Sequence, residues 1–215
     1  MTSAQMANLP VFPLPGLVFL PGSQLPLHIF EHRYRAMVRW CIEHNCPLAV
    51  GRIEPGHEAA QPGDPPVVEV MGVGRLERHL ELPDGRFNLV LAGVGRVRLV
   101  EELELHPEGF RRFRGVELDA LPATSQGYTS LATLRALAAA LGTLLPAPAR
   151  AIQDSLDRGD SPDIVAFRLG AMLLGEPEVR QVFLEQDSTD ARLAQVVEHV
   201  AELLGRFSGP GQAEG

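Results

Sequence analysis

The sequence contains no lysine, because all 19 residues counted as Lys or Arg are arginine. A phosphate-binding P-loop places a lysine on the β- and γ-phosphates. A Ser-Lys peptidase uses lysine as the base that activates its serine, and Schiff-base catalysis uses the lysine amine itself. The absence of lysine therefore excludes these three kinds of catalytic site from the chain.

Cysteine and long apolar runs are scarce as well. The only two cysteines are Cys41 and Cys46, which indicates a reduced setting and not a disulfide framework. No apolar run approaches the length of a membrane span. The N-terminus lacks the basic region and the unbroken apolar stretch of a secretion signal. We expect a cytoplasmic protein without a membrane partner.

Positive charge is in the minority, since the 215-residue chain has a formal net charge of −8. Residues 115–215 alone carry 7 arginines and 14 acidic residues. Nucleic-acid binding needs net positive charge on the protein, so we expect no nucleic-acid partner. Residues 75–114 carry 8 arginines and 7 acidic residues, and we expect these arginines on solvated strand faces.

Residues 9–38 form the most informative segment of the sequence. Apolar runs at 9–12 and 17–20 are each closed by proline or glycine, a pattern typical of strands. After residue 27, apolar residues recur at helical spacing, at Tyr34, Met37, Val38, Cys41 and Ile42. This period predicts an amphipathic helix near residues 31–44 that buries one face.

The order of these features resembles the N-terminal substrate-binding domain of the Lon protease family. The resemblance lies in residues 9–14 (LPVFPL), 20–22 (LPG) and 25–35 (LPLHIFEHRYR). A second signature is similar at residues 82–87 (LPDGRF), followed by Gly93 and residues 96–99 (RVRL). The similarity extends over roughly residues 9–204 of the chain.

The resemblance implies an α+β fold in which a PUA-like mixed β-barrel is followed by a C-terminal helical bundle. We expect a barrel subdomain over residues 1–122, with its one helix near 31–44, a helical subdomain over 128–208 and a disordered tail over 209–215. Full-length members of the family also carry ATPase and peptidase modules. Because lysine is absent and the sequence ends at Gly215, we expect the recognition domain to stand alone.

The resemblance also implies a function without catalysis. We expect a protein- or peptide-recognition module that binds exposed apolar segments of unfolded or tagged proteins, as an adaptor in proteolysis with a separate protease as a further partner. No cofactor is expected. The candidate peptide-binding residues, in a groove between barrel and helices, are the apolar Phe19, Phe30, Tyr34 and Phe87 and the charged Glu31, Arg33 and Arg35. The aromatic residues fit a buried core equally well, and Glu31 with Arg35 fits a solvated i, i+4 pair.

Two other functions stay open at this level. PUA-like barrels bind RNA in other proteins, and a small hydrolase would use cysteine or histidine chemistry. The residues in question are Cys41, His44 and Cys46 (CIEHNC), and His28 with His32 at i, i+4 spacing. A structural zinc site needs four ligands, and the sequence has no second cysteine pair. Cys41 lies on the apolar stripe, which penalises a thiolate, so we expect neither a metal site nor catalytic residues.

Overall fold

The structure of the protein is a computed structural model that describes residues 2–57 and 65–208. These residues belong to two compact units. The first unit comprises Met1–Asp119 and Glu176–Glu185, and the second comprises Ala120–Gly175 and Gln186–Gly215. The tail predicted to be disordered, residues 209–215, lies outside the described residues. No helix among the described residues is long and apolar enough to cross a membrane.

The first unit contains the strands and three helices. The strands are β1 (Leu9–Leu14), β2 (Gln24–Ile29), β3 (Leu48–Arg52), β4 (Val70–Glu81), β5 (Phe87–Glu102) and β6 (Arg112–Glu117). Its helices are α1 (Ser3–Met6), α2 (His32–Glu43) and α6 (Pro177–Glu185), and α6 returns to this unit after residues 120–175, which belong to the second unit. The helix predicted near 31–44 is therefore α2.

The six strands form one mixed sheet in the order β2-β5-β4-β3-β1-β6. The long strand β5 also pairs with β6, so β5, β4, β3, β1 and β6 close into a ring and β2 extends the sheet from the other end of β5. The β1–β3 pair is parallel and the other pairs are antiparallel. The α+β fold with a mixed barrel followed by helices is thus confirmed.

The tetrapeptide GVGR occurs twice, at residues 72–75 and 93–96. Its first glycine, Gly72 in one copy and Gly93 in the other, allows the segment with Phe19 and Leu20 to pass close to the barrel. A Cβ atom at Gly72 would overlap the carbonyl oxygen of Phe19, and one at Gly93 would overlap that of Leu20. The segment carrying Phe19 and Leu20 therefore crosses these strands at backbone contact distance, which only glycine permits. The β4 register also shifts between Val73 and Gly74.

The core of the first unit consists of two buried clusters. One lies among the strands of the ring and consists of Met6, Leu9, Val11, Ala49, Met71, Val73, Val97 and Phe113. The other joins the apolar face of α2 to β5 and its neighbours, and includes Tyr34, Met37, Val38, Cys41, Phe87, Leu89 and Leu91. Burial of this area supplies most of the favourable free energy of folding.

Helix α6 joins the first unit through buried polar contacts. The Arg96 side chain, only 2% exposed, donates to the carbonyl oxygens of Leu184 (2.8 Å) and Asp119 (3.0 Å). Gln181 donates to the carbonyl of Val70 at 3.0 Å. The sequence predicted this helix within the 128–208 subdomain and Arg96 on a solvated face. The expectation for Arg96 is wrong, because its guanidinium finds enough carbonyl acceptors to be buried.

The second unit is helical, with α3 (Ser125–Leu141), α4 (Pro146–Asp157), α5 (Pro162–Leu173) and α7 (Thr189–Ser208). Thr124 caps α3 by accepting from the Gln126 amide at 3.2 Å, and it also donates to the Asp190 carboxylate at the start of α7. Arg192 is buried, and its guanidinium lies 4.0 Å from the centre of the Phe167 ring. These contacts join α3, α5 and α7 into one packed body.

Candidate functional site

Three of the four aromatic residues predicted to bind peptides are part of the core. Phe19, Tyr34 and Phe87 are each buried, and Tyr34 packs edge-on against Phe12 with ring centres 4.6 Å apart. The reason is local, since Tyr34 lies on the apolar face of α2 and Phe87 begins the strand beneath it. These three side chains are therefore not available to a partner on the surface of this structure.

Phe30 is the exception, with 63% of its surface exposed. It occupies the bend between β2 and α2, where its ring stacks on His28 at a centre-to-centre distance of 6.4 Å. Single exposed apolar side chains are common on folded proteins, so this exposure makes Phe30 accessible without by itself marking a binding site. Phe30 is therefore the apolar candidate that the structure leaves accessible.

The predicted charged residues divide between two environments. Glu31 precedes α2 and accepts from Arg33 Nε at 3.2 Å, while the Arg33 guanidinium covers the Tyr34 ring at 4.6 Å. Arg35 donates instead to the carbonyl of Asp84 in the β4–β5 turn, at 3.1 Å. The structure thus groups Glu31 and Arg33 beside Phe30. The i, i+4 pair expected between Glu31 and Arg35 gives way to these two contacts.

Sequence reasoning missed a second exposed surface, on the side of the sheet away from α2. Side chains directly opposite each other in antiparallel strands share a face. His28 lies opposite Asn88, and Asn88 lies opposite Leu80. Pro26 lies opposite Val90, and Val90 lies opposite Arg78. We call these six residues, Pro26, His28, Arg78, Leu80, Asn88 and Val90, the outer face.

The outer face lines an open groove of about 580 Å³. Leu80 is 61% exposed in this groove, with Pro26 and Val90 as its apolar neighbours. His28 Nδ1 lies 2.7 Å from Asn88 Oδ1, and the Arg86 guanidinium lies 3.5 Å from His28 Nε2. The groove therefore combines apolar side chains with a small number of polar groups, as ligand-binding clefts commonly do.

Cys41 and Cys46 are buried and share one hydrogen bond, which raises the pKa of the Cys41 thiol and lowers that of the Cys46 thiol. A hydrogen bond to Cys46, together with burial, holds the pKa of the Cys41 thiol well above its ordinary value. His44 Nδ1 lies 2.8 Å from the carbonyl oxygen of Trp40, and the His44 ring stacks on the Trp40 ring. Over residues 2–57 and 65–208, no group of three or more His, Cys, Asp or Glu side chains is arranged to hold a metal ion. A thiol with a raised pKa is a weak nucleophile at neutral pH.

A histidine that the sequence did not single out packs beside α2. His106 stacks on Phe110 with ring centres 4.1 Å apart, and Trp40 meets the His106 ring edge-on at 6.5 Å. His106 Nδ1 accepts from the amide of Glu108 at 3.2 Å. Burial, followed by the nearby Arg112, lowers the pKa of His106. The neutral ring is therefore the form that fits this turn.

Comparison with known proteins decides the family. A family model of the substrate-binding domain of ATP-dependent protease La (LON) matches residues 8–202. The chain belongs to this family. The LON substrate-binding domain thus accounts for nearly the whole sequence, including the outer face and Phe30.

Curated proteins similar to this LON domain include Lon proteases. The chain is 24% identical over 192 residues to Lon protease of Anaeromyxobacter dehalogenans and 26% identical over 191 residues to Lon protease 2 of Myxococcus xanthus. These alignments cover 89% and 88% of this chain. The chain spans 23% of the length of either relative.

Solved structures share the fold. A Lon N-terminal domain protein from Xanthomonas campestris matches with a TM-score of 0.60 and 25% identity, over 89% of this chain and 97% of that one. The N-terminal domain of a Mycobacterium avium complex Lon protease matches with a TM-score of 0.67 and 18% identity, over 91% and 98%. The PUA-like fold implied by the sequence resemblance is therefore confirmed.

Proposed function

We propose that this chain is a non-catalytic recognition module that binds exposed apolar segments of unfolded or tagged proteins. The observation that carries the proposal is the match of the LON substrate-binding model to residues 8–202. The absence of lysine and the burial of both thiols support a role without chemistry. Binding alone then has to account for what the protein does.

Phe30, Glu31 and Arg33 form the recognition surface in this proposal. An apolar side chain of the partner packs on the exposed Phe30 ring, and burial of that ring contributes favourable free energy. Glu31 and Arg33 already pair at 3.2 Å, so covering them costs less free energy than covering an unpaired charge. The surface therefore selects exposed apolar groups and tolerates varied sequences around them.

The proposal places the chain beside a separate protease in the cytoplasm. An adaptor holds an unfolded segment and presents it, and the energy-driven steps belong to the partner. The two free thiols, Cys41 and Cys46, fit a reducing compartment. Co-purification of a protease with the tagged chain from its native cell tests this part of the proposal.

Direct binding tests the recognition function. A fluorescent, permanently unfolded polypeptide is titrated with the purified full chain, and a folded protein of the same composition serves as the control. We expect saturable binding of the unfolded polypeptide alone. Phe30→Ser should weaken the affinity by about tenfold, since burial of a large part of one aromatic side chain is lost.

The matched control is Phe207→Ser, which removes the same side chain from an exposed position on α7, where Phe207 is 44% exposed. This variant should bind as the unmodified chain does. Equal weakening by both variants, or binding of the folded control, would contradict the proposal.

A structured RNA, added as competitor, tests the RNA-binding alternative in the same experiment. The recognition function predicts that RNA does not displace the unfolded polypeptide. Displacement that weakens steeply as salt is raised would favour RNA binding, because phosphate contacts release counterions.

A further inference from the structure

Leu80 faces solvent because of an irregularity in strand β4. The register against β5 shifts between Leu76 and Arg78, leaving Glu77 as an extra residue. Leu76 packs against the buried cluster beneath α2. Regular alternation would direct Arg78 and Leu80 to that same side, but the bulge reverses the alternation and puts both residues on the outer face. Bulges of this kind are frequent next to functional sites.

The positive charge on the outer face has no internal partner. The Arg78 side chain is exposed, and its guanidinium makes no hydrogen bond or ion pair with any other residue that the structure describes. Two nearby carboxylates are already engaged, because Glu77 accepts from Gln24 at 2.7 Å and Asp84 pairs with Arg86 at 2.6 Å. The chain as a whole is acidic, at −8, so an acidic ligand is attracted by Arg78 locally and not by the overall charge. A groove that offers a free guanidinium beside an exposed leucine is therefore complementary to an acidic apolar ligand.

We infer that the outer face binds an extended apolar segment that carries an Asp or Glu side chain, with the carboxylate on Arg78 and an apolar side chain on Leu80. This inference rests on the proposed function: it extends the recognition surface from Phe30, whose ring stacks on His28, to the outer face, and it names the class of polypeptide that the outer face prefers. The guanidinium offers a planar pair of donors that matches a carboxylate. Val90 and Pro26 complete the apolar contact, and His28 and Asn88 lie beside it.

Side-chain contact on the outer face explains recognition better than pairing along the free edge of β2. Strand β2 ends the sheet order, so its far edge has no partner strand among the described residues. Pro26, in the middle of that strand, has no N–H to donate. Proline is a common means of preventing strand addition at a sheet edge. The segment therefore lies across the sheet surface in this account.

Two short synthetic peptides test the inference. Both alternate leucine with serine, carry the same dye and are blocked at both ends, and they differ only in a central Glu or Gln. With the full chain, the Glu peptide should bind about fivefold more tightly, and the preference should shrink as salt is raised. Blocking the ends removes the terminal carboxylate as an alternative source of negative charge.

Substitutions then test whether Arg78 causes the preference for the Glu peptide. Arg78→Gln should abolish the difference between the two peptides, and Arg78→Glu should reverse it. Arg150→Gln is the control, since Arg150 is an exposed arginine on α4. Leu80→Ala should weaken the binding of both peptides by about threefold to fivefold. Its control is Leu105→Ala, at a leucine that is 51% exposed.

The outcomes separate this inference from the proposed function. Binding of the unfolded polypeptide with no preference for Glu, or a preference that survives Arg78→Gln, overturns the inference and leaves the proposed function standing. Failure of every unfolded polypeptide and peptide to bind overturns both. Loss of discrimination in Arg78→Gln, with circular dichroism unchanged, supports the inference.

Discussion

Both sides of the β4–β5 hairpin carry leucine, but the leucines are buried on one side and exposed on the other. On the side of α2, Leu89 and Leu91 are buried with Met37 and Val38 in one apolar cluster. On the outer face, Leu80 is 61% exposed. The difference arises from one extra residue in β4 and from the position of α2, and not from hydrophobicity. The side covered by α2 therefore maintains the fold, while the uncovered side is accessible to a partner.

The strongest test of this contrast removes a leucine from the covered side. Leu91→Ala should lower the free energy of unfolding by about 3 kcal/mol, because it leaves a cavity among fully buried neighbours. Leu80→Ala should change it by less than about 0.5 kcal/mol, as is usual for an exposed position. Urea unfolding measures both. Equal losses for the two variants would contradict the assignment of the two sides.

A smaller loss is expected when the close backbone crossing is disturbed. Gly93→Ala should destabilise the protein by roughly 2 kcal/mol, because its Cβ would meet the Leu20 carbonyl and the crossing segment must shift. Gly175→Ala is the control, since no other atom lies within 4 Å of the Cβ it would add. Thermal unfolding of the two variants should differ clearly, and a tolerated alanine at Gly93 would refute the close approach.

A contact that holds α2 on the covered side should contribute less again. Arg39 Nη2 lies 2.5 Å from Glu81 Oε1, and the guanidinium covers the Phe87 ring at 5.4 Å. Both partners of the pair are about half exposed, so Arg39→Ala should cost about 0.5 to 1 kcal/mol. A double-mutant cycle with Glu81→Ala separates the ion pair from the ring contact. A coupling of zero would assign the whole effect to Phe87.

The smallest effect is a dependence on pH beside the C-terminal half of α2, where Trp40 meets His106. The pKa of His106 is lowered by burial and by Arg112, while Glu108 opposes the shift and His44 adds to it. The folded state therefore resists protonation. The contribution of His106 to stability is complete above its ordinary pKa of 6.5 and is lost as pH falls through the lower folded value.

The single tryptophan, Trp40, reports on this region because its ring contacts His106. We expect the free energy of unfolding, followed by Trp40 fluorescence, to decrease between pH 6.5 and more acidic values. His106→Gln should flatten that decrease. An unchanged pH profile in this variant would assign the dependence to another group.

Much of the first unit could be predicted from residue patterns. The apolar run at 9–12 is part of β1 as predicted, and the helical period at Tyr34 to Ile42 indicated α2, which spans His32–Glu43. The strand predicted at residues 17–20 is wrong, because this segment crosses the sheet over Gly72 and Gly93 and the next strand is β2. In the second unit, Ser161 followed by Pro162 and Asp163 is typical of a helix start, and α5 spans Pro162–Leu173. These signals are local, and neighbouring residues are enough to produce them.

The outer face could not be predicted, because its composition depends on pairing between strands distant in sequence. The bulge at Glu77 leaves no mark in the alternation of residues 76–81, LERHLE. The burial of Arg96 was missed for a similar reason, since its acceptors belong to residues 119 and 184. Phe19, Tyr34 and Phe87 were aromatic and close to family motifs, but the sequence does not show which neighbours cover them.

Site-specific crosslinking tests the central claim most directly. In one variant of the full chain, a photoreactive phenylalanine analogue replaces Phe30. In a second variant of the same chain, the analogue replaces Phe207. With the permanently unfolded polypeptide, we predict an adduct from position 30, little or none from position 207, and none with the folded control at either position. Equal adducts from both positions, or an adduct with the folded control, would contradict recognition of unfolded polypeptide by this surface.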